Sequence, residues 1–283
     1  MAGKQLVFNQ MDMFSLKNKV IIITGASGLL GRQHVEAVAG AGGLPVLLDL
    51  DQEVLNQQVI DVNKLFGINT KGYAVDITNE SIVSKNCDEI IKDFGKIDGL
   101  VNNAANNPKV ENSPEKNFSR LEFFPEDIWE KDLAVGLKGS FLCTKYYGYR
   151  ISGNPSGGSI VNISSDLGLI APDQRLYKVE GLPEEQQPVK PVTYSVVKTG
   201  LIGLTRYIAT YWAEKNVRCN AICPGGVENN QNEHFLTEVK KRIPMNRMAF
   251  KNEYQGLLVF LLSGASSYIN GSIISADGGR STW

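Results

Sequence analysis

Nitrogen and sulfur ligands for a metal ion are scarce in this chain, which has four cysteines and two histidines. None of them has a neighbour at the spacing of a zinc site, so the sequence predicts no metal centre. Cys219 and Cys223 fall in a candidate strand, where four residues span about 13 Å. A disulfide needs Cα atoms within about 7 Å, so we expect buried free thiols, which are typical of a reducing compartment.

Long apolar runs and an excess of charge of one sign are also missing. No apolar run reaches the ~18 residues of a membrane span, and the first residues lack the charged-then-apolar order of a secretion signal. Lys and Arg number 29 against 30 Asp and Glu, which gives none of the basic excess that favours nucleic-acid binding. We therefore expect a cytoplasmic protein without a membrane or nucleic-acid partner.

The chain does have a regular alternation of short β-branched runs and helical patterns. The candidate strands are 20–24, 44–48, 72–75, 99–102, 159–163, 218–222 and 272–275. The candidate helices are 31–41, 53–66, 80–94, 126–149, 192–215 and 251–263. This order is typical of βαβ units and a parallel sheet. The sequence predicts an N-terminal extension over 1–18 and one α/β domain over 19–283, a Rossmann-like, doubly wound parallel sheet of seven strands with helices on both faces.

Two connections are longer than is usual in such folds. They cover 105–125 after the fourth strand and 166–191 after the fifth. Both leave the carboxyl edge of a parallel sheet, where ligands bind in α/β folds. We therefore expect the two insertions to help build a pocket.

A strand, a tight turn and a helix start follow one another over 21–31. Gly25, Gly28 and Gly31 allow close approach of a phosphate, and the helix start supplies free N–H donors. This arrangement favours the pyrophosphate of a nicotinamide dinucleotide, and the alternative is a purely structural turn.

Asp49 ends the second strand about twenty residues past the glycine turn. Its carboxylate is placed to accept hydrogen bonds from the adenosine ribose and to repel a 2'-phosphate, which favours NAD over NADP. The alternative is an ordinary solvated carboxylate. Arg32 is the nearby cation, and we expect it on the surface of the first helix turn. The preference would weaken if Arg32 reached the ribose.

Tyr194 and Lys198 lie four residues apart in a candidate helix. Such residues share one helix face, so the ammonium is expected near the phenol, where it would favour the ionised form. A phenol tuned in this way can carry a proton near neutral pH. For an isolated pair, a half-buried tyrosine beside a solvated lysine would be the more ordinary interpretation.

Taken in order, the motifs resemble the short-chain dehydrogenase/reductase family over about 19–279. They are Thr24-Gly25 to Gly31, Asp76 in Val75-Asp76-Ile77, Asn102-Asn103-Ala104-Ala105, Ser164-Ser165, Tyr194 with Lys198, Pro224-Gly225, and Asn270-Gly271 to Asp277-Gly278-Gly279.

The resemblance implies the roles of particular residues. Tyr194 would be the proton carrier, Lys198 would hold the nicotinamide ribose, and Ser165 would orient the reacting oxygen, with Ser164 as the alternative. The cofactor would lie against Gly25, Ser27, Gly28, Leu30, Gly31, Asp49, Asp76, Ile77, Asn102, Ala104, Tyr194, Lys198, Pro224, Gly225 and Val227. In that set Asp76 would contact adenine, Asn102 and Ala104 the adenosine side, and 224–227 the nicotinamide.

Three departures from the family pattern stand out. Gly28 comes one position earlier than in short-form members, although the chain lacks the extra substrate domain of longer members. Gly136 occupies the position of an asparagine that usually holds a proton-relay water. Residues 174–190 separate Ser165 from Tyr194 by more than the usual dozen residues.

The insertions bear on the substrate. Asn106, Gln174, Arg175 and Lys178 are polar or cationic, so we expect a polyhydroxylated substrate that carries a phosphate or carboxylate; the alternative is that they are solvated loop residues. Stretches 171–174 and 191–194 resemble oxidoreductases found with flagellin-modification and surface-polysaccharide genes. This resemblance implies a secondary alcohol of a sugar derivative.

Two other functions stay open at this point. One is a 3-oxoacyl reductase or gluconate-type dehydrogenase, and the other is a dinucleotide-binding sensor or scaffold with little turnover. In related enzymes the helix predicted over 192–215 packs against its copy, so a homodimer or homotetramer is expected. Its stripe of Leu201, Leu204, Ile208 and Tyr211 is predicted to lie in the core.

Overall fold

A computed structural model describes residues 13–106 and 117–283. The strands are β1 (Val20–Thr24), β2 (Leu44–Asp49), β3 (Gly72–Ala74), β4 (Gly99–Asn102), β5 (Gly158–Ile163), β6 (Val217–Pro224) and β7 (Ile273–Ala276). The longer helices are α1 (Leu29–Gly40), α2 (Gln52–Phe66), α3 (Glu80–Phe94), α4 (126–151), α5 (Val192–Tyr211), α6 (Glu233–Lys240) and α7 (Gln255–Leu262). Helix α4 begins as Glu126–Leu133 and continues to Tyr149–Ile151, with π-helical turns at Ala134–Lys138 and Thr144–Gly148.

The seven strands form one parallel sheet in the order β3-β2-β1-β4-β5-β6-β7, which confirms the predicted doubly wound fold. Alternate side chains of β1 enter different cores, because successive residues of a strand point to opposite faces. Val20 and Ile22 pack in one core, whereas Ile21 and Ile23 pack in the other. A central strand buried on both faces explains the continuous apolar run in the sequence.

Helix ends follow local side-chain chemistry. The carboxylate of Asp51 accepts from two N–H groups at the start of α2, and Asn79 caps α3 in the same way. Gly67 and Gly95 end these helices in the left-handed conformation, which glycine adopts without strain. The boundaries of α2 and α3 therefore lie within one residue of the prediction.

Other elements differ from the sequence prediction. Helix α6 was not predicted, and α5 ends at Tyr211 because the chain turns at Trp212. In the stripe along α5, Leu201 and Ile208 are buried as expected, but Tyr211 is 64% exposed and lies outside the core. The four cysteines are buried and unbridged, as predicted. Within 13–106 and 117–283, no helix combines the length and the apolar character needed to span a bilayer.

Candidate active site

A cleft of about 1330 Å³ opens at the carboxyl edge of the sheet. It is bounded by the segments that follow strands β1 to β6, together with the start of α5. The predicted site residues that line it are Gly25, Ser27, Gly28, Leu30, Gly31, Asp49, Asp76, Ile77, Ala104, Ser164, Ser165, Tyr194, Lys198, Pro224, Gly225 and Val227. Residues far apart in sequence thus meet at the edge where α/β folds bind ligands.

The turn after β1 is too tight for side chains at two of its glycines. Gly25 has φ +63°, and a β-carbon there would lie 2.8 Å from the Cα of Ala104. A β-carbon on Gly31 would lie 2.0 Å from the carbonyl oxygen of Gly25. Glycine at these positions lets β1, β4 and α1 approach closely, which brings the helix N-terminus to the floor of the cleft.

The N–H groups of Ala26, Ser27 and Gly28 bond within the protein, whereas donors at the start of α1 are left for a ligand. Gly28 is the N-cap of α1 and offers no side-chain cap, and the first turn of the helix holds no acidic residue. The buried hydroxyl of Ser27 has no partner among the described residues. Free N–H groups and a hydroxyl at a helix start fit an anionic group such as the pyrophosphate of a nicotinamide dinucleotide.

Asp49 and Arg32 contact the same residue of this turn. The backbone N–H groups of Ser27 and Leu50 both donate to the carboxylate of Asp49, each at 2.8 Å. Arg32 is exposed on the first turn of α1, as expected, and its Nε donates to the carbonyl oxygen of Ser27 at 3.0 Å. Asp49 is therefore held at the cleft wall by two backbone donors.

Asn102 lies beneath the cleft and does not line it. It is buried in β4, and its Nδ2 donates to Thr144 Oγ1 and Asn162 Oδ1. Because side chains alternate along a strand, the next residue, Asn103, lines the cleft instead. Asn103 Nδ2 donates to the carbonyl oxygens of Thr24 and Gly25, which braces the glycine turn against the end of β4.

Tyr194 and Lys198 occupy successive turns near the start of α5. Lys198 is buried, its Nζ donates to the carbonyl oxygen of Ile163 at 2.8 Å, and it lies 5.8 Å from the ring centroid of Tyr194. Burial, together with repulsion from Lys190, lowers the pKa of Lys198 to about 8.

The pKa of the Tyr194 phenol departs from the sequence prediction. Burial raises it, and the Ser165 side chain only partly opposes that effect. Lys198 does not produce the net lowering of the Tyr194 pKa that the sequence predicts, since its ammonium donates to the backbone of β5 rather than to the phenol. Burial of a phenol disfavours its ionised form, and at Tyr194 this is the largest effect on the pKa.

The two serines after β5 have different partners. Ser164 Oγ donates to the carbonyl oxygen of Lys198 at 2.7 Å and so fixes α5 against the sheet. Ser165 Oγ donates to Asp166 Oδ1 at 2.8 Å. Ser164 is engaged with the backbone of α5, whereas the hydroxyl of Ser165 can reach a bound substrate by turning from the carboxylate of the adjacent Asp166, so this arrangement favours Ser165.

A buried ion pair next to Ser165 was not foreseen from the sequence. Arg280 Nη1 lies 2.8 Å from Asp166 Oδ2, with side-chain exposures of 10% and 4%. The two residues are far apart in sequence and carry no local motif. Their contact holds the segment after β7 against the end of β5.

The insertion over 166–191 packs on α6. Leu176 is buried in a cluster with Val239, and the rings of Tyr177 and Phe235 lie 5.8 Å apart. Arg242 Nε pairs with Asp173 at 2.6 Å. The insertion and α6 thus form one wall of the cleft, which supports the prediction that the insertion builds a pocket.

The predicted substrate residues do not meet at this wall. Gln174, Arg175 and Lys178 are exposed and outside the cleft, and Arg175 pairs with Asp173. Asn106 Nδ2 donates to the buried Asp132, while residues 107–116 of the first insertion lie outside the described residues. From the second insertion, Tyr177 and Lys190 line the cleft instead.

Several known proteins are similar to this chain over most of its length. The family profile for short chain dehydrogenase matches residues 19–177, and that for enoyl-(acyl carrier protein) reductase matches residues 184–281. The sorbose reductase of Candida albicans is 31% identical over 279 residues, covering 97% of this chain and 91% of that protein. The NADP-dependent mannitol dehydrogenase of Hypocrea jecorina is 31% identical over 284 residues, covering 96% of each. The crystal structure of NAD⁺-bound xylitol dehydrogenase has a TM-score of 0.78, with 26% identity and coverage of 93% of this chain and 99% of that one.

A parallel sheet that brings a glycine turn and a Tyr-Lys pair to one cleft defines an oxidoreductase that uses a nicotinamide dinucleotide. The chain belongs to the short-chain dehydrogenase/reductase family. It is an oxidoreductase that acts on CH–OH groups.

Proposed function

We propose that this protein uses NAD to interconvert a secondary alcohol and a ketone of a sugar derivative. One observation carries the proposal: Ser165, Tyr194 and Lys198 meet in the cleft that also contains the glycine turn. An acid-base group and a dinucleotide site in one cleft allow the hydroxyl oxygen to lose a proton while its carbon loses a hydride.

When bound, the nicotinamide would accept or donate the hydride. The residues that would hold the dinucleotide are Gly25, Ser27, Gly28, Leu30, Gly31, Asp49, Asp76, Ile77, Ala104, Lys198, Pro224, Gly225 and Val227. As the phenolate, Tyr194 takes the proton of the substrate hydroxyl during oxidation, and as the phenol it donates a proton to the carbonyl oxygen during reduction. Ser165 donates a hydrogen bond to that oxygen and so fixes its position.

Asp49 supports NAD as the cofactor. Its carboxylate is fixed at the end of β2 by two backbone donors, and a ribose 2'-phosphate nearby would meet its negative charge. Arg32 is bonded to the backbone of Ser27, so its guanidinium is already engaged at the turn.

Polar side chains in the cleft support a hydroxylated substrate. Asn229, Asn230 and Gln231 follow β6 and line the cleft. The similar proteins named above act, by their names, on sorbose, mannitol and xylitol, which are sugars or sugar alcohols. A role in surface-glycan or flagellin-glycan synthesis rests on the resemblance of two short stretches and stays a prediction.

Exposed aromatic rings on α5 support a homo-oligomer. Tyr207 and Tyr211 are 63% and 64% exposed, lie one turn apart, and stack at 5.6 Å. Aromatic side chains are enriched at protein interfaces. The buried, unbridged cysteines support a reducing compartment such as the cytoplasm.

The test is turnover of neutral polyols, aldonates and a 3-oxoacyl thioester, each in the direction its chemistry allows, with both NAD and NADP cofactors. We expect activity on the hydroxylated compounds and a 10²- to 10⁴-fold lower kcat in Tyr194→Phe, since the proton carrier is lost. Tyr268→Phe, at a fully exposed tyrosine, is the matched control. Preference for the thioester would favour the 3-oxoacyl reductase. NADH binding without turnover of any compound would favour the sensor or scaffold.

A further inference from the structure

Lys190 reaches the catalytic tyrosine from the end of the second insertion. Its Nζ lies 3.7 Å from the ring centroid of Tyr194, closer than the Nζ of Lys198 at 5.8 Å. The backbone N–H of Lys190 donates to Gln174 Oε1 at 2.8 Å, which ties this end of the insertion to its first half. A flexible lysine side chain is thus anchored at its base and directed into the cleft.

The ammonium of Lys190 has no anionic partner in the part of the chain that the structure describes. The carboxylate that raises the pKa of Lys190, Asp166, is already paired with Arg280 and accepts from Ser165. Burial lowers the pKa of Lys190 to about 8, so the side chain is still mainly charged at neutral pH. The aromatic face offers such a cation only weak compensation.

The charges at this end of the cleft therefore do not cancel. Asp166 and Arg280 neutralise each other, whereas Lys190 and Lys198 each contribute a positive charge. Lys198 is directed at the backbone of β5, which leaves Lys190 as the cation that faces the space above Tyr194. A partly desolvated ammonium next to a substrate site is stabilised by an anion that binds there.

We propose that Lys190 binds a carboxylate or phosphate of the substrate, so that the enzyme selects sugar acids or sugar phosphates over neutral polyols. This inference rests on the proposed function, because it assigns the substrate class of the same site. The anionic group would lie near the carbon that is oxidised, since Lys190 covers the ring whose oxygen exchanges the proton with the substrate. Gln174, Arg175 and Lys178, which the sequence favoured for this role, are outside the cleft.

The experiment compares three substrate classes in wild type, Lys190→Met and Lys190→Arg. D-gluconate represents the carboxylates, sorbitol 6-phosphate the phosphates, and sorbitol and mannitol the neutral polyols. We expect an anion to be the best substrate of wild type, by about tenfold or more in kcat/KM. In Lys190→Met the ratio of kcat/KM for anion over neutral polyol falls about 10- to 100-fold, mainly through KM, and Lys190→Arg retains most of it.

Lys215→Met is the matched control, because Lys215 is exposed and outside the cleft. It should leave the ratio unchanged. The KM of the preferred anion should also rise with ionic strength in wild type, while that of the neutral polyol stays constant. This salt dependence tests the inference even if Lys190→Met does not fold.

Equilibrium binding separates this inference from the proposed function. Binding of D-gluconate and sorbitol 6-phosphate to the enzyme–NADH complex is followed by NADH fluorescence. Lys190-dependent anion binding without turnover of any alcohol would support the subsite and contradict the proposed reaction. Turnover of neutral polyols at equal or better kcat/KM, or equal losses for both classes in Lys190→Met, would overturn the subsite and leave the reaction standing.

Discussion

Gly136 in α4 and Val197 in α5 approach so closely that a β-carbon on Gly136 would lie 2.4 Å from Val197 Cγ1. Valine has one strongly preferred side-chain rotamer in a helix, so the methyl cannot easily turn away. The asparagine that the family pattern leads us to expect at this position therefore has no room here. Nearby, the buried carboxylate of Asp132 accepts from Asn106 and Thr193, so polar groups do lie beside this position.

We expect Gly136→Ala to destabilise the protein by about 1–3 kcal/mol through overpacking, as measured by chemical denaturation. Gly256→Ala in α7 is the matched control, because nothing lies within 4 Å of a β-carbon at that helical glycine. There alanine should stabilise the helix by up to about 1 kcal/mol. Adding Val197→Ala to Gly136→Ala should recover part of the lost free energy of unfolding. Equal effects of alanine at both glycines would contradict the close packing.

Asp49 should control the choice of cofactor. Asp49→Asn removes the charge but keeps the size of the side chain, so the repulsion toward a 2'-phosphate is lost. We expect the ratio of kcat/KM for NADP over NAD to rise about 10- to 100-fold, which corresponds to about 1.4–2.8 kcal/mol. Steady-state kinetics with both cofactors measure it. Asp61→Asn, at an exposed carboxylate in α2, should leave the ratio unchanged, and a wild-type preference for NADP would refute the argument.

His34 should make stability fall at mildly acidic pH. Burial lowers the pKa of His34 from 6.5 to about 4 in the folded chain. Between these values the unfolded chain binds more protons, so the free energy of unfolding decreases as pH falls, by about 1.4 kcal/mol per pH unit and about 3 kcal/mol in total.

Urea denaturation from pH 7 to pH 4 measures this slope in wild type and in His34→Leu. The difference between the two curves isolates the histidine from the carboxylates that titrate in the same range. His234→Leu, at the exposed histidine, should keep the wild-type slope. A His34→Leu curve parallel to that of wild type would show that burial of the imidazole has no such effect.

Tyr207 and Tyr211 should lie in the subunit interface. Replacing both by lysine places two charges on the exposed face of α5, and desolvating them in an interface is unfavourable. We expect the double variant to shift the oligomer to monomers in light scattering coupled to gel filtration. Tyr268→Lys is the control for an added charge at an exposed tyrosine elsewhere. A monomeric wild type at micromolar concentration would rule out this interface.

Much of the fold could be predicted because it is encoded locally. The apolar run of β1 and the glycines at the following turn occur within a dozen residues. Asp51 and Asn79 likewise start their helices, and Gly67 and Gly95 end them, through contacts with near neighbours. In these segments periodicity and capping chemistry are sufficient.

The candidate site was less predictable, since its remaining parts depend on distant contacts. Helix α6 packs against Leu176 of the insertion, and Arg280 finds Asp166 more than a hundred residues away. Neither contact leaves a periodic signal in the sequence. The sequence favours Arg175 and not Lys190 as a substrate-binding cation. Only tertiary packing decides which cation of the insertion enters the cleft.

The ion pair between Asp166 and Arg280 has a consequence for assembly. The glycine turn, β5 and α5 all emerge during synthesis before Arg280, yet the carboxylate next to Ser165 lacks its ion-pair partner until β7 has been added to the sheet edge. A growing chain would therefore hold the turn and the tyrosine long before the reacting end of its cleft had its final charge balance. Catalytic competence would then arise late in folding, as the outermost strand docks.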